Sequence, residues 1–377
     1  MSQLKVNKIE STTSGGNCVV NATNISPRNI LTNGDCAVNQ RGPAPGGTAV
    51  SANNEFMVDR FHIAKSSSAT IGFIQTENPG ADGFHFGIKA TCTSASSPSA
   101  AHYYLLRYKI EGYNLTRLNW GKSNAQPATL SFWVKSSQTG TFGGAIPNSN
   151  ASRTYVFSYT VSSADTWERK KISIPATTSG AWLDDNRCGA ELWFSLGVGS
   201  DNQASVGWHD ASKMTVTGET QLANTGSGTM EFTGFQLERG EHMNEFEWIP
   251  YSQNLMECLR YFHRIEKDSA SAWSVLSTSA VNRATNNTRC FFKHPVPLRA
   301  LASWTISDVD DTRVDSSSTS HVFATNTPNS TTLLASYSTK EQTCVDFGSA
   351  DTNIATGHAS WLRSNNTAVT LDFSAEL

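Results

Sequence analysis

The sequence is poor in charged residues and lacks the basic surplus of a nucleic-acid-binding protein. Of 377 residues, 29 are Lys or Arg and 32 are Asp or Glu, so the formal net charge is −3 and charged residues make up 16% of the chain. About 25% is usual in a soluble protein. Because nucleic-acid binding depends on clustered basic charge, we predict no nucleic-acid partner.

Long apolar runs and cysteine motifs are also missing. No run of about 18 apolar residues occurs, and the first residues have no apolar export core, so we expect neither membrane insertion nor signal-led export. The seven cysteines are odd in number and scattered, with no Cys-x-x-Cys pair and no histidine at a zinc-ligand spacing. We predict free, mostly buried thiols, no metal site and folding in a reducing cytoplasm.

Alternating apolar and polar residues dominate the sequence from 29 to 250. The alternation is clearest over residues 104–110, 130–134, 155–161 and 192–198. Period two over many short segments, without helical stretches between them, predicts a mostly β fold, namely an antiparallel jelly-roll β-sandwich.

One connecting α-helix is predicted after the jelly roll, in a linker over residues 251–268. Ser252 is the expected N-cap, and the helix should have three or four turns. Residues 269–377 then return to alternation, for example at Trp273 and Val275, which predicts a second, smaller β-sandwich. The apolar residues at helical spacing are Leu255, Cys258, Leu259 and Phe262.

Residues 1–28 form a separate segment with too few apolar side chains to fold alone. Two interpretations stay open at this point. The segment is either a terminus without fixed structure or an extended arm that becomes ordered by pairing with other chains.

Motifs for catalysis or cofactor binding are weak. Gly121-Lys122-Ser123 is similar to the end of a phosphate-binding loop, but Thr116 stands where that loop needs glycine. The acidic run from Asp308 to Asp315 lacks the glycine and terminal glutamate of a calcium loop. We therefore predict no catalytic residue, no cofactor and no enzyme activity, and keep a glycan-active enzyme as a minor alternative.

Tryptophans in turns are the best candidates for a binding site. Trp182 and Trp208 lie in segments rich in Gly, Asp and Asn, and Asp184 and Asn186 follow Trp182 closely. An indole can stack on the apolar face of a sugar while carboxylates and amides bind its hydroxyl groups. These four residues are the candidate glycan contacts. The alternative is that the two rings only close the open end of the sandwich, whereas Trp193, within a strand, is expected in the core.

Several stretches resemble phage tail-fibre and related virion structural proteins. LKVNKIE at 4–10 with GG at 15–16 is similar to the virion-proximal ends of such fibres. Their carbohydrate-binding-module-like jelly roll is resembled by NILTNGDCAVNQRG at 29–42 followed by VDRF at 58–61, by FWVKSS at 132–137 and by GFQLERG at 234–240. ECLRYFHR at 257–264 and FKHPVPLRA at 292–300 resemble the helix after that module and the C-terminal β-sandwich head domain.

The resemblance implies a tail-fibre or receptor-binding subunit located in the virion after folding in the bacterial host cytoplasm. Residues 1–28 would attach it to other virion proteins, of the tail or near the portal, and the subunits would form a homo-oligomer, expected to be a trimer. Host surface polysaccharide would be bound through multivalent display. Sugar-binding modules of this shape often hold calcium with acidic residues of the last strand, which residues 232–236 lack, so no calcium is expected there. A head decoration or tail adaptor protein that acts purely as scaffold is the alternative.

Overall fold

The structure is a computed structural model that describes residues 27–266, 274–317, 323–326, 328–350, 352, 354–364 and 369–377. The predicted arm over residues 1–28 lies outside the described residues except for Pro27 and Arg28, and so does Trp273. The mostly β fold is confirmed, as is its arrangement as β-sandwiches in sequence order.

The first sandwich is formed by two facing sheets. The larger has the order β1-β2-β5-β10-β7-β8-β12 and the smaller the order β3-β4-β14-β6-β9, so distant strands such as β4 and β14 lie side by side, as in a jelly roll. Its elements are β1 (Phe56–Val58), β2 (Phe61–Lys65), β3 (Thr70–Glu77), β4 (Phe86–Ser94), β5 (Tyr103–Glu111), α1 (Gly112–Leu115), β6 (Ala128–Ser136), β7 (Gly140–Pro147), β8 (Thr154–Val161), β9 (Glu168–Ile174), β10 (Cys188–Val198), β11 (Gln203–Ala204), β12 (Gly207–His209), β13 (Thr215–Val216) and β14 (Thr229–Arg239).

Aromatic side chains from both sheets fill the space between them. Phe132 packs edge-on against Phe194, with ring centroids 4.8 Å apart, and Phe194 lies 5.3 Å from Phe232 and 5.4 Å from Phe235. All four are essentially fully buried. The apolar residues of the predicted alternation therefore point into this core, where burial of their side chains stabilises the sandwich.

The second sandwich begins directly after a short helix. A sheet of order β15-β24-β18 faces a sheet of order β20-β19-β23-β16-β17-β22-β21. Phe292, Phe347 and Phe373 pack in its core. Its elements are α2 (Tyr251–Leu259), β15 (Phe262–Glu266), β16 (Val275–Ala284), β17 (Asn287–Lys293), β18 (Ser303–Ile306), β19 (Thr312–Ser317), β20 (Phe323–Asn326), β21 (Pro328–Leu333), β22 (Gln342–Ser349), β23 (Ala359–Ser364) and β24 (Thr370–Ser374).

The connecting helix differs from its prediction in length and cap. α2 starts at Tyr251, after Pro250 rather than Ser252, and the Pro250 carbonyl accepts the amides of Gln253 and Asn254 at 3.0 and 3.1 Å. It ends at Leu259 because Phe262 belongs to β15, which pairs with β24 over its whole length. The prediction of three or four turns was therefore too long, and a second helix, the single turn α1, was not predicted.

The described cysteines match their prediction. All six are free thiols, five of them buried and Cys188 partly exposed, while Cys18 lies outside the described residues. No helix in the described ranges has both the length and the apolar character that crossing a bilayer requires.

Candidate functional site

Trp182 and Trp208 come together with Trp120 at one end of the first sandwich. The ring centroids of Trp182 and Trp208 are 5.8 Å apart, and those of Trp120 lie 4.9 Å from Trp182 and 5.6 Å from Trp208. All three contacts are edge-to-face. We call these three residues the tryptophan cluster. Trp120 is buried, whereas Trp182 and Trp208 are half-buried and pack on the core from outside.

Each indole N–H of the cluster is already used within the protein. Trp182 Nε1 donates to the Ser179 carbonyl and Trp208 Nε1 to the Pro175 carbonyl, both at 3.0 Å, and Trp120 Nε1 donates to a backbone carbonyl at 2.8 Å. These bonds fix the ring orientations. The ring surface that is left to solvent is therefore apolar, which is the surface that stacks on a sugar.

Two glycines let the backbone approach Trp182 closely. Gly121 and Gly180 have φ values of +82° and +90°, and a Cβ on Gly121 would lie 2.9 Å from Trp182 Cδ1. A Cβ on Gly180 would lie 3.0 Å from Trp182 Nε1. Any other residue would have both a strained backbone and a steric conflict at these positions, so the local sequence is what sets the ring in place.

Charged groups surround the exposed rings. Lys122 pairs with Asp184 at 3.2 Å, and Arg153 Nη1 pairs with Asp210 at 2.7 Å while its guanidinium carbon lies 5.2 Å from the Trp208 ring centroid. The Asp184 and Asp210 side chains are 60% and 81% exposed. Oxygen acceptors and cationic donors thus border the apolar rings, as the recognition of sugar hydroxyl groups requires.

A shallow hollow of about 450 Å³ adjoins Trp208. Pro175, whose carbonyl accepts the Trp208 indole, lines it together with Lys171, Glu241 and His242, which are exposed. Tyr155 contacts the same wall: its ring lies 5.1 Å from Trp208, and its hydroxyl donates to a backbone carbonyl of the hollow at 3.0 Å. Burial raises the pKa of Tyr155, so this hydroxyl remains a donor at neutral pH.

The four candidate contacts from the sequence have different surroundings. Trp182 and Asp184 line one small hollow with Trp120, and Trp208 belongs to the cluster. The Asn186 side-chain amide instead donates to the Arg299 carbonyl at 3.0 Å, and Arg299 Nη1 donates back to the Asn186 carbonyl at 2.8 Å. Asn186 therefore connects the two sandwiches.

Sequence reasoning missed Arg153, Tyr155 and the hollow beside Trp208. The pairing of β12 with β8 brings Trp208 opposite Tyr155. A local sequence pattern cannot predict this pairing, because the two residues are more than 50 positions apart. Trp193 is buried, as expected for a strand residue, and its Nε1 donates to Glu191 at 2.6 Å. Among the described residues, no three His, Cys, Asp or Glu side chains are grouped so that they would hold a metal ion.

Comparisons with known proteins give matches to solved structures only. No protein-family model and no curated protein matches the chain. A putative sugar binding protein from Bacteroides thetaiotaomicron is 13% identical with a TM-score of 0.34, over 56% of this chain and 100% of its own. A family 11 carbohydrate-binding module of a Clostridium thermocellum cellulase is 13% identical with a TM-score of 0.25, over 53% and 98%. The enzymatically active domain of bacteriophage CBA120 tailspike protein 4 is 11% identical with a TM-score of 0.30, over 56% of this chain and only 21% of that one.

Proposed function

We propose that this protein is a phage virion structural protein, a tail-fibre or receptor-binding subunit that recognises host surface glycan through the tryptophan cluster. It acts by binding and not by catalysis. The observation that carries the proposal is that Trp182 and Trp208 are half-exposed rings whose N–H groups are already bonded. Such rings offer only a fixed apolar face, and fixing that face in advance lowers the entropic cost of stacking on a sugar.

The charged border adds the polar half of the recognition. Asp184 and Asp210 each have a cationic partner, yet both carboxylates are more than half exposed and can accept sugar hydroxyl groups. Exposed ion pairs of this kind contribute little to stability, with a median of about 0 to 1 kcal/mol, so they can exchange partners at small cost. The site is therefore suited to a neutral or mixed-charge saccharide.

One such site binds glycan weakly, and display of many copies on one particle would raise the overall affinity. A shallow contact on two rings is suited to affinities of order millimolar, and repetition of linked sites raises the overall affinity by factors of roughly 10² to 10⁴. Residues 1–28 would provide attachment to neighbouring virion proteins, and a homotrimer would be the repeated unit. The sequence resemblance to tail-fibre proteins supports this part of the proposal.

The test is adsorption of the purified protein to host cells or host polysaccharide. Replacing Trp182 or Trp208 with Ala should weaken binding by about 1 to 3 kcal/mol, or roughly 5- to 150-fold, because a stacked aromatic contact is lost. The matched control is Trp248→Ala: Trp248 is 55% exposed and lies outside the cluster, so this variant should bind like the parent protein. A thermal unfolding curve followed by far-ultraviolet circular dichroism checks that each variant keeps its fold.

Unchanged binding by both cluster variants, with the fold intact, would exclude the tryptophan cluster as the glycan site.

A second candidate function, a scaffold that contacts only other virion proteins, is favoured by a separate observation. Four large apolar side chains, Tyr113, Trp248, Tyr251 and Met256, are each more than half exposed. A scaffold would show no polysaccharide binding in any variant, and an enzyme would shorten the polysaccharide chains, which we do not expect.

A further inference from the structure

Arg153 differs from Lys122, the other cation beside the tryptophan cluster, because it is mostly buried. The Arg153 side chain is 15% exposed, whereas that of Lys122 is 54% exposed. The backbone of Arg153, just before β8, is also held: its amide donates to Asn148 Oδ1 at 3.1 Å, and its carbonyl accepts the Asn148 amide at 2.9 Å. Arg153 therefore places a fixed positive charge next to the half-exposed ring of Trp208.

The counter-ion of Arg153 is far more exposed than the arginine. Asp210 follows β12, its side chain is 81% exposed, and its Oδ1 accepts a hydrogen bond from Arg153 Nη1 at 2.7 Å. Within the described ranges, Arg153 Nε is buried and has no hydrogen-bond partner. Asp210 thus uses only part of the donor capacity of the guanidinium.

This difference in burial favours exchange of the counter-ion. Release of Asp210 into water costs little, because an exposed ion pair contributes little to stability. The guanidinium needs a negative partner, because a mostly buried cation without one is destabilising. A carboxylate on a ligand can take the place of Asp210, whereas a neutral hydroxyl group that displaced Asp210 would leave Arg153 without a counter-ion.

We propose that Arg153 makes the tryptophan cluster selective for saccharides that contain uronic acid. The sugar would stack on Trp208 while its carboxylate replaces that of Asp210 on the guanidinium, which can bind a carboxylate through two parallel N–H groups. The charge at Arg153 stays balanced in this exchange, and no covalent bond changes. The inference rests on the proposed function, because it assigns a class of sugar to the same site.

The test compares the binding of the full chain to polysaccharides that differ only in charge. Immobilised hyaluronate, alginate and polygalacturonate are the probes, and the methyl ester of each, which has no carboxylate charge, is its reference. We expect at least one acid form to bind about tenfold more tightly than its ester, the scale of a hydrogen bond to a charged group.

Substitutions of Arg153 test its part in this preference. Arg153→Gln should remove the preference, so that acid and ester bind alike. Arg153→Lys keeps the charge but not the planar pair of donors, and it should retain only part of the preference. Thermal unfolding curves check that both variants keep the fold.

Substitution of the counter-ion should act in the opposite direction. Asp210→Asn removes the competing carboxylate and should raise the affinity for the acid form by about two- to fivefold. The matched control is Glu245→Gln, because Glu245 also pairs with an arginine and is 94% exposed but lies outside the cluster. This control loses the same charge and should bind every probe like the parent protein.

Three results would each overturn the inference: equal binding of the acid and ester forms, binding to none of the probes, or a preference that persists in Arg153→Gln. Trp208→Ala distinguishes such a failure from a failure of the proposed function. If acid and ester bind equally and Trp208→Ala weakens both, the tryptophan cluster binds glycan without selecting carboxylates. If Trp208→Ala binds the probes like the parent protein, the cluster itself is not the site.

Discussion

His263 and His294 meet in the second sandwich. Their Nδ1 atoms are 3.4 Å apart, His294 Nε2 lies 3.0 Å from the Thr343 hydroxyl, and the His263 ring stacks on Phe373. Burial lowers the pKa of both histidines to about 4, and for His294 the neighbouring His263 adds to the effect. One Nδ1 of this contact donates and the other accepts, so at least one of the two rings must be neutral, and burial favours the neutral form of both.

The pair predicts a loss of stability on acidification. The folded-state pKa lies below the unfolded value of about 6.5, so the unfolded state binds more protons between pH 6.5 and 4, and the free energy of unfolding falls as pH falls through that window. Each proton can change the free energy of unfolding by at most about 1.4 kcal/mol per pH unit. Because His263 is partly exposed to solvent, its contribution to the slope of the free energy of unfolding against pH should be smaller than this maximum. We expect His294→Gln to reduce this slope in urea unfolding at pH 7, 5.5 and 4.5.

The control for this measurement is His85→Gln, because the His85 side chain is 58% exposed. That variant should keep the slope of the parent protein. Equal slopes for the parent and His294→Gln would show that the histidine pair is not the source of the acid sensitivity.

At the scale of elements, strands with regular alternation were predictable, whereas β7 was not. β5, β6 and β8 follow their apolar periodicity, whereas β7 contains Gly143 and Gly144 and shows none. A Cβ on Gly144 would lie 2.1 Å from the Trp193 carbonyl of β10. Because β10 passes so close, this position must be glycine, and β7 therefore lacks an apolar side chain that would have contributed to the alternating pattern.

The candidate site was predictable in part for a related reason. Gly, Asp and Asn around Trp182 indicate a connection between strands, and residues 175–187 do lie between β9 and β10. The same composition around Trp208 was misleading, because Trp208 lies in the strand β12. Arg153 and Tyr155 reach Trp208 only through the pairing of β8 with β12, and α2 ends where β15 pairs with a strand about 100 residues later. Long-range pairing of this kind depends on register, which a local pattern does not encode.

Glu219 ties the segment around β13 to the larger sheet of the first sandwich. Its carboxylate accepts the hydroxyl of Ser195, on β10, at 2.5 Å and that of Thr215, on β13. Burial raises the pKa of Glu219 to about 7, against the opposing effect of these hydrogen bonds. The native state therefore holds a proton on Glu219 at a pH where the unfolded chain has released it.

This buried carboxyl predicts a pH dependence opposite to that of the histidines. A raised folded-state pKa contributes stability that is fully present below pH 4.5 and lost as pH rises through about 7. We expect Glu219→Gln, which cannot ionise, to gain stability relative to the parent protein as pH rises from 5 to about 7, by up to about 1.4 kcal/mol per pH unit, and to gain little more from pH 7 to pH 8.

The comparison is made as variant minus parent at each pH, because the histidine contribution then cancels. Glu245→Gln, at a side chain that is 94% exposed, should show no such gain. A constant difference between Glu219→Gln and the parent from pH 5 to pH 8 would contradict the raised pKa.

At the scale of the whole molecule, the end of the described chain connects the two sandwiches. Arg41 and Arg60, from the first sandwich, both bind the Glu376 carboxylate, which follows β24 of the second. Arg299 donates to the carbonyls of Ala375 and Glu376 at 2.8 and 2.9 Å. The Arg41 and Arg60 contacts fix one sandwich relative to the other, as do the Asn186–Arg299 bonds. The bonds from Arg299 to Ala375 and Glu376 lie within the second sandwich and hold Glu376 in place.

Removal of the Glu376 charge should weaken this connection strongly. The Arg60 side chain is only 2% exposed and its guanidinium carbon lies 3.5 Å from the Tyr261 ring centroid, so Glu376→Gln leaves a buried cation without its counter-ion. Breaking a buried pair in this way costs about 3 to 5 kcal/mol. We expect a lower free energy of unfolding in urea and, in calorimetry, separate unfolding of the two sandwiches.

Glu245→Gln is the matched control, since Glu245 also pairs with an arginine but is 94% exposed, and its loss should cost no more than about 1 kcal/mol. If Glu376→Gln unfolds with the midpoint and single transition of the parent protein, the carboxylate does not hold the sandwiches together. The result also bears on the proposed function, because multivalent binding is strong only when linked sites can engage at the same time. If the two sandwiches could rotate freely relative to each other, the affinity of a single glycan site would be unchanged. The additional overall affinity that comes from many linked sites on one particle would be partly lost.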